Sequence, residues 1–167
     1  MKIAVYAGSF DPITYGHLDV VSRASAVFDR IALAVLGNPR KAAPIFPTDD
    51  RLKVIREAVD EFCLPDVATR IEVESFDGLT VDFCRHRKAT FIVRGLRAIS
   101  DFESELQMAH TNRKLAPEID TVFFMTALEH SYLSSSLVKE IAAFGGDVTQ
   151  MVPPSVVRHL AGRSRGL

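Results

Sequence analysis

No apolar run in this sequence reaches the ~18 residues that a membrane-spanning helix needs, so no membrane partner is expected. Charge of one sign is also missing. Lysine and arginine total 20 against 21 aspartates and glutamates, and a nucleic-acid-binding protein needs a strongly basic face. Cysteine is scarce. Cys63 and Cys84 lack metal-ligand spacing, and both fall in helical apolar patterns. Buried free thiols are therefore expected, not a disulfide. There is no internal repeat, low-complexity tract or linker. Gly8 arrives too early for a signal peptide, and a reducing cytoplasm is the expected setting.

The 167 residues suit one domain with one core, spanning 1–167. Hydrophobic residues make up 47% and charged residues 25%, ordinary for a globular chain. Short apolar runs without alternation occur at 3–7, 31–36, 91–93 and 122–126, with a weaker one at 70–75. Such runs predict strands covered on both faces, as in a parallel sheet. Helical stripes lie between them. Leu18, Val21, Ser25 and Phe28 form one. Leu52, Ile55, Val59 and Phe62 form another, opened by Thr48 as N-cap with Asp49 and Asp50 in the first turn. Leu79, Phe83 and Arg87 predict a shorter helix. Phe102, Leu106, Ala109 and Arg113 mark a helix over 102–115, with Glu105 and Asn112 sharing a face. A helix over 136–144 should end at Gly145-Gly146, and a last short one should start at Pro153-Pro154. The tail 158–167 is expected to fray. The alternation predicts a doubly wound α/β fold with a five-stranded parallel sheet, Rossmann-like and mononucleotide-binding, with C-terminal helices.

In such sheets ligands bind beyond the carboxyl ends of the strands. The first strand is followed by Gly8-Ser9-Phe10-Asp11-Pro12-Ile13-Thr14-Tyr15-Gly16-His17. This places backbone N–H groups, a hydroxyl and an imidazole at one helix N-terminus, where a polyphosphate would sit. Gly16 would let the backbone come close, and Pro12 and Asp11 would stiffen and tie the loop. The second strand leads to Asn38, Arg40 and Lys41, the third to Asp77 and Gly78, the fourth to Arg94-Gly95-Leu96-Arg97. The fifth leads to Glu129, His130 and Ser134-Ser135-Ser136. These cations would repel one another unless an anion joined them. Bland readings stand beside each piece. Gly8-Ser9 could be an ordinary turn, Lys41 a solvated lysine, and Ser134-Ser135-Ser136 only an N-cap. Arg94 could pair with Asp101 or Glu103. His86 and His159 are expected to be solvated, and His110 to pack within its helix.

Missing motifs narrow the chemistry. There is no Gly-x-x-x-x-Gly-Lys-Ser/Thr loop, no Gly-x-Gly-x-x-Gly after the first strand, no Gly-x-Ser-x-Gly elbow and no zinc-binding Cys/His group.

The segment Gly8 to His17, as written above, resembles the signature of the nucleotidylyltransferase superfamily. Arg94-Gly95-Leu96-Arg97, Asp101-Phe102-Glu103-Ser104-Glu105-Leu106-Gln107-Met108-Ala109 and Ser131-Tyr132-Leu133-Ser134-Ser135-Ser136-Leu137-Val138-Lys139-Glu140 narrow the resemblance to the bacterial phosphopantetheine adenylyltransferase family. It covers essentially the whole chain. It implies reversible adenylyl transfer from ATP to 4′-phosphopantetheine in coenzyme A biosynthesis, with Mg²⁺ carried by the ATP phosphates. A homohexamer and coenzyme A as a feedback ligand are implied too. By motif position, His17, Lys41 and Arg94 would be catalytic. ATP would meet Ser9, Phe10, His17, Gly95, Leu96, Arg97, Glu105, His130, Ser131, Tyr132, Leu133, Ser134, Ser135 and Ser136. Ser9, Lys41, Thr80 and Arg94 would hold phosphopantetheine. Ser104 departs from the pattern, since an aromatic is common there, and Arg40 competes with Lys41 as the phosphate ligand. Alternatives are another adenylyl- or cytidylyltransferase with a different phosphorylated acceptor, and a non-catalytic nucleotide or coenzyme A sensor.

Overall fold

The computed structural model describes residues 1–37, 44–97 and 99–163. Strands β1 (Ile3–Gly8), β2 (Arg30–Leu36), β3 (Ile71–Phe76), β4 (Phe91–Leu96) and β5 (Asp120–Met125) form one parallel sheet in the order β3-β2-β1-β4-β5. The chain order reverses between β1 and β4, which opens a crevice at their carboxyl ends.

Central β1 has Ala4, Val5, Tyr6 and Ala7 all buried, because both faces of the sheet are covered. Ala4 and Tyr6 point into one core with Ile31, Leu33 and Val35. Helices α1 (Tyr15–Ser25), α2 (Thr48–Phe62), α6 (Ser135–Ala143) and α7 (Pro154–Arg163) bring Leu18, Ile55, Val138 and Val156 to that core. Val5 and Ala7 point the other way, with the small Ala32 and Ala34. There they meet Val81, Phe83 and Cys84 of α4 (Thr80–Arg87), and Ala116 and Ile119 beyond α5 (Ile99–Leu115). Each fully buried Leu, Ile, Val or Phe contributes about 1.5–3 kcal/mol.

Several expectations are corrected. The fourth strand does not stop at Val93. Arg94 and Gly95 pair in register with Phe123 and Phe124, so β4 reaches Leu96. Thr48 is not the cap of α2 but its first residue, after Pro47, and its hydroxyl accepts from Arg51 Nη2 at 3.1 Å. A short helix α3 (Pro65–Ala68) had no periodic signal to announce it. Cys84 is buried, and burial pushes its thiol up to about 12; Cys63 is only half-buried, and both are free. His110 is exposed, not packed. Gly145 ends α6 as expected. Its φ of +71° is a left-handed value, and Gly146 N–H donates to Ile141 O at 2.9 Å.

The tail is helical through Arg163 because acids on α2 hold it. Glu61 accepts from the Ser155 N–H and from Arg158 Nη2, each at 2.9 Å. His159 Nε2 lies 3.2 Å from Glu57 Oε2, so His159 is half-buried where a solvated ring was expected, while Arg158 is paired but remains exposed. Burial works against the Glu61 charge, but the Ser155 and Arg158 hydrogen bonds outweigh it and hold the carboxyl below its ordinary 4.5. A carboxyl with a lowered folded pKa stabilises fully above its unfolded pKa and loses that contribution as pH falls through the folded value. Thermal unfolding of wild type should therefore lose more between pH 6 and pH 3 than Glu61→Gln does (about pH 4.5 marking the start of the loss). Equal acid sensitivity in the two would remove this pair from the acid response.

The loop from β1 to α1 is tied from two sides. Asp11 is 4% exposed and accepts from the Ile45 and Phe46 N–H groups, each at 3.0 Å, and from Lys139 Nζ at 3.2 Å. This bears out the expectation that Asp11 ties the loop. Asp11→Ala should cost about 1–3 kcal/mol for each N–H left without a partner, read as a lower urea midpoint at unchanged slope.

Candidate active site

A cavity of about 380 Å³ opens at the β1/β4 crevice. Its walls take Tyr6 to Phe10 from the end of β1 and just after it, Thr14 at the N-cap of α1, Gly16, His17 and Val20 from α1, Arg94 and Gly95 from β4, and Arg97 just after β4. Asp101, Ser104 and Glu105 of α5, Thr126, and Leu133 to Ser136 before and in α6 complete it. Strands bring these parts together because parallel strands all end on the same side of the sheet.

The turn after β1 is tightly shaped. Phe10 has φ +43°, a left-handed value that costs a bulky residue roughly 1–2 kcal/mol. Its ring compensates by packing edge-on against Tyr6 at 5.3 Å and His17 at 5.2 Å, and is 2% exposed. The same ring covers Gly8, where a Cβ would lie 3.1 Å from it. With the ring in the core, Phe10 can serve a ligand through its backbone. Gly95 is required by a neighbouring helix, since a Cβ there would meet Val20 of α1 at 2.9 Å. Gly16 is different. A Cβ there would find ordinary contacts at 3.6 Å, so the protein's own packing does not demand glycine.

His17 is the third residue of α1, and its side chain completes a capping box with Thr14. The Thr14 N–H donates to His17 Nδ1 at 3.1 Å, and Thr14 Oγ1 lies 3.0 Å from the same nitrogen. A backbone N–H can only donate, so Nδ1 is the acceptor and the ring proton resides on Nε2. The imidazole is thereby set as a donor at the cavity wall, not as a base. Thr14 was not singled out by sequence reasoning, although Thr-x-x-His before an apolar helical run carries the capping-box spacing.

Arg94 is paired, but with neither Asp101 nor Glu103. Its Nε and Nη2 meet Glu105 Oε2 and Oε1 at 2.6 and 2.5 Å, and Nη1 donates to Ala7 O at 2.7 Å. Burial works against the guanidinium charge, yet the hydrogen bonds and attraction of Glu105 hold Arg94 above the usual arginine range. Asp101 instead accepts from Arg97 Nε at 3.0 Å, and Arg97 Nη1 reaches Leu133 O at 2.9 Å. Tyr6 was also missed. Burial pushes its phenol up to about 12 against the opposing pull of Arg94, so it stays protonated in the cavity floor.

The serine run both caps α6 and lines the cavity. Ser134 caps α6 by accepting from Leu137 N–H at 3.1 Å, and Ser135 Oγ donates to Pro12 O at 2.8 Å. Ser136 lines the cavity at the start of the helix, where N–H groups and the helix dipole favour an anion. The Ser104 hydroxyl turns back to Asp101 O at 3.0 Å and offers no ring to stack on.

Of the expected site residues, Ser9, Phe10, His17, Arg94, Gly95, Arg97, Glu105, Leu133, Ser134, Ser135 and Ser136 line this cavity. Leu96 is buried and is absent from the lining. His130 stacks on Tyr15 at 6.1 Å, the Ser131 hydroxyl donates to Leu128 O at 2.7 Å, and Tyr132 is exposed; these three sit outside the cavity lining. Thr80 begins α4 beyond β3 and is likewise not in it. Lys41, like Asn38 and Arg40, lies outside the described residues.

Residues 5–141 match the family model described as cytidylyltransferase-like. The phosphopantetheine adenylyltransferase of Gloeobacter violaceus is 54% identical over 164 residues, 98% of each chain. The protein of the same name from Lachnoclostridium phytofermentans is 49% identical over 166 residues, 99% of this chain and 98% of that one. Among solved structures, a nicotinic acid mononucleotide adenylyltransferase of Plasmodium falciparum, complexed with NaAD, superposes with a TM-score of 0.73. It covers 96% of this chain and 95% of its own at 16% identity, a likeness of fold. The relatives' identity over nearly the full length, with the family model across most of it, makes this chain a member of the phosphopantetheine adenylyltransferase family of nucleotidyltransferases.

Proposed function

We propose that this chain transfers the adenylyl group reversibly from ATP to 4′-phosphopantetheine, giving dephospho-coenzyme A and pyrophosphate. The observation that carries the chemistry is the donor form of His17, fixed by the Thr14 N–H, in a cavity shared with Arg94, Arg97 and the start of α6. The choice of acceptor rests on near full-length similarity to proteins of that name.

The attacking group would be a phosphate oxygen, already anionic near neutral pH, so no base is needed. That agrees with the cavity's carboxylates, Asp101 and Glu105, each occupied by an arginine. The work left to the protein is to bring two polyanions into line and offset their repulsion. Arg94, with Lys41 from outside the described residues, would hold the acceptor phosphate. His17 Nε2–H would donate to the α-phosphate as charge builds there. Arg97 and the N–H groups at Ser135 and Ser136 would take the β- and γ-phosphates. Among the described residues no group of three His, Cys, Asp or Glu could hold a metal. Mg²⁺ would arrive on the ATP phosphates, where it would neutralise charge on the leaving pyrophosphate.

The family's homohexamer, cytoplasmic setting and coenzyme A feedback are proposed with it. Met125 at the end of the edge strand β5 and Leu128 just after it are exposed, which supports burial between copies.

Pyrophosphate release from ATP should occur with 4′-phosphopantetheine and not with nicotinamide mononucleotide or a phospho-alcohol. Release with another acceptor alone would move the chain to a different activity, and none with any would favour a sensor. In that assay His17→Ala should lose about 10²–10³ in kcat, the loss typical of one transition-state donor, while ATP affinity holds. Arg94→Met should raise KM for phosphopantetheine as well as lower kcat. An unchanged KM would confine Arg94 to its pair with Glu105.

A further inference from the structure

Arg51 of α2 is 5% exposed and stands outside the cavity lining. Among the described residues it belongs to no ion pair, although buried guanidinium groups ordinarily have an anionic partner. Its Nη1 donates to the Ser9 carbonyl at 2.9 Å and its Nη2 to Thr48 Oγ1 at 3.1 Å. Its Nε–H is buried and meets no acceptor among the described residues. A buried positive charge is thus pressed against the back of the loop whose front forms the cavity.

The Ser9–Phe10 peptide is trans. In a planar trans peptide the C=O and N–H point in opposite directions. With the Ser9 oxygen turned to Arg51, which stands outside the cavity lining, the Phe10 N–H is turned away from Arg51, and Ser9 and Phe10 are both lining residues. The positive φ of Phe10 makes this orientation one that the chain would not choose unaided. We infer that Arg51 is a positioning residue, which turns the Ser9–Phe10 peptide so that the Phe10 N–H faces the phosphates and sets a positive charge behind that dipole. The inference rests on the phosphate reading of the cavity given above.

The test compares Arg51→Met, Arg51→Lys and Arg56→Met with wild type. Arg56 is the control, since it makes the same kind of bond from the same helix, Nη2 to Val73 O at 2.9 Å, away from the loop. Two readouts are taken on folded protein: pyrophosphate binding by calorimetry, and kcat with ATP and phosphopantetheine. Both Arg51 variants should weaken pyrophosphate binding and lower kcat by about 10²-fold, the scale of a small misplacement at a reacting centre. Lysine should recover part of the binding, because it keeps the charge and reaches one oxygen. Arg56→Met should lose melting temperature without either effect. Unchanged pyrophosphate binding in a folded Arg51 variant would overturn the inference, as would failure of both variants to fold, which would make Arg51 purely structural. Should wild type itself turn over no acceptor, the proposed activity fails while pyrophosphate binding still decides the role of Arg51.

Discussion

The constraint on which the site depends is the reversal of the chain between β1 and α1. A central strand must end, expose backbone donors, and start a helix within Ser9 to Thr14. It does so with Phe10 in a left-handed conformation that only surrounding contacts can hold. Those contacts come from every side. Arg51 takes the Ser9 carbonyl, Asp11 takes two N–H groups and Lys139, and Ser135 takes the Pro12 carbonyl. The Phe10 ring fills the space over Gly8. Since α2, α6 and the segment before α2 all meet at this loop, the fold's remote parts and the site's geometry are the same structure. This arrangement suits a reaction whose chief demand is positioning.

The start of α1 adds a second economy of design. A capping box usually ends in Glu or Gln. Here the residue at that place is His17, whose Nδ1 satisfies the Thr14 N–H. One bond both closes the helix terminus and fixes the imidazole proton on the far nitrogen. The helix dipole also favours negative charge at this end. Stability of the helix start and polarity of the donor are therefore not independent properties.

Much of this was legible in the sequence, and the parts that were not have a common cause. Unalternating apolar runs revealed the buried strands, and the turn residues after them revealed the side of the sheet that would carry a ligand. Asp11 could be read as a loop tie because Asp beside Pro in a turn has few other uses. The partner of Arg94 could not be read. Asp101 and Glu103 are nearer in sequence, but extension of β4 to Leu96 and the phase of α5 bring Glu105 to it instead. Arg51 gave no signal at all, since a lone arginine among helical charges looks solvated. Its burial depends on α2 packing behind a loop some forty residues earlier. Ordering of the tail likewise depends on acids of α2 that meet α7 only after folding.

The arginines of the cavity are balanced locally in the same way. Arg94 and Arg97, which line the cavity, are held by Glu105 and Asp101 before any ligand enters. The carboxylates fix the direction of each guanidinium and prevent the cations from driving one another apart. A guanidinium has five N–H donors in a planar fork, so a carboxylate on one edge does not exhaust it. In the proposed reaction, attraction for a polyanion would come from the remaining guanidinium donors, the His17 Nε2–H, the N–H groups at the start of α6 and the dipoles of two helix ends. These sources are oriented but add little net charge. A site built this way would recognise the shape of a polyphosphate more than its total charge, so that an anionic ligand would leave its mark in the order of a few short motifs and not in the composition.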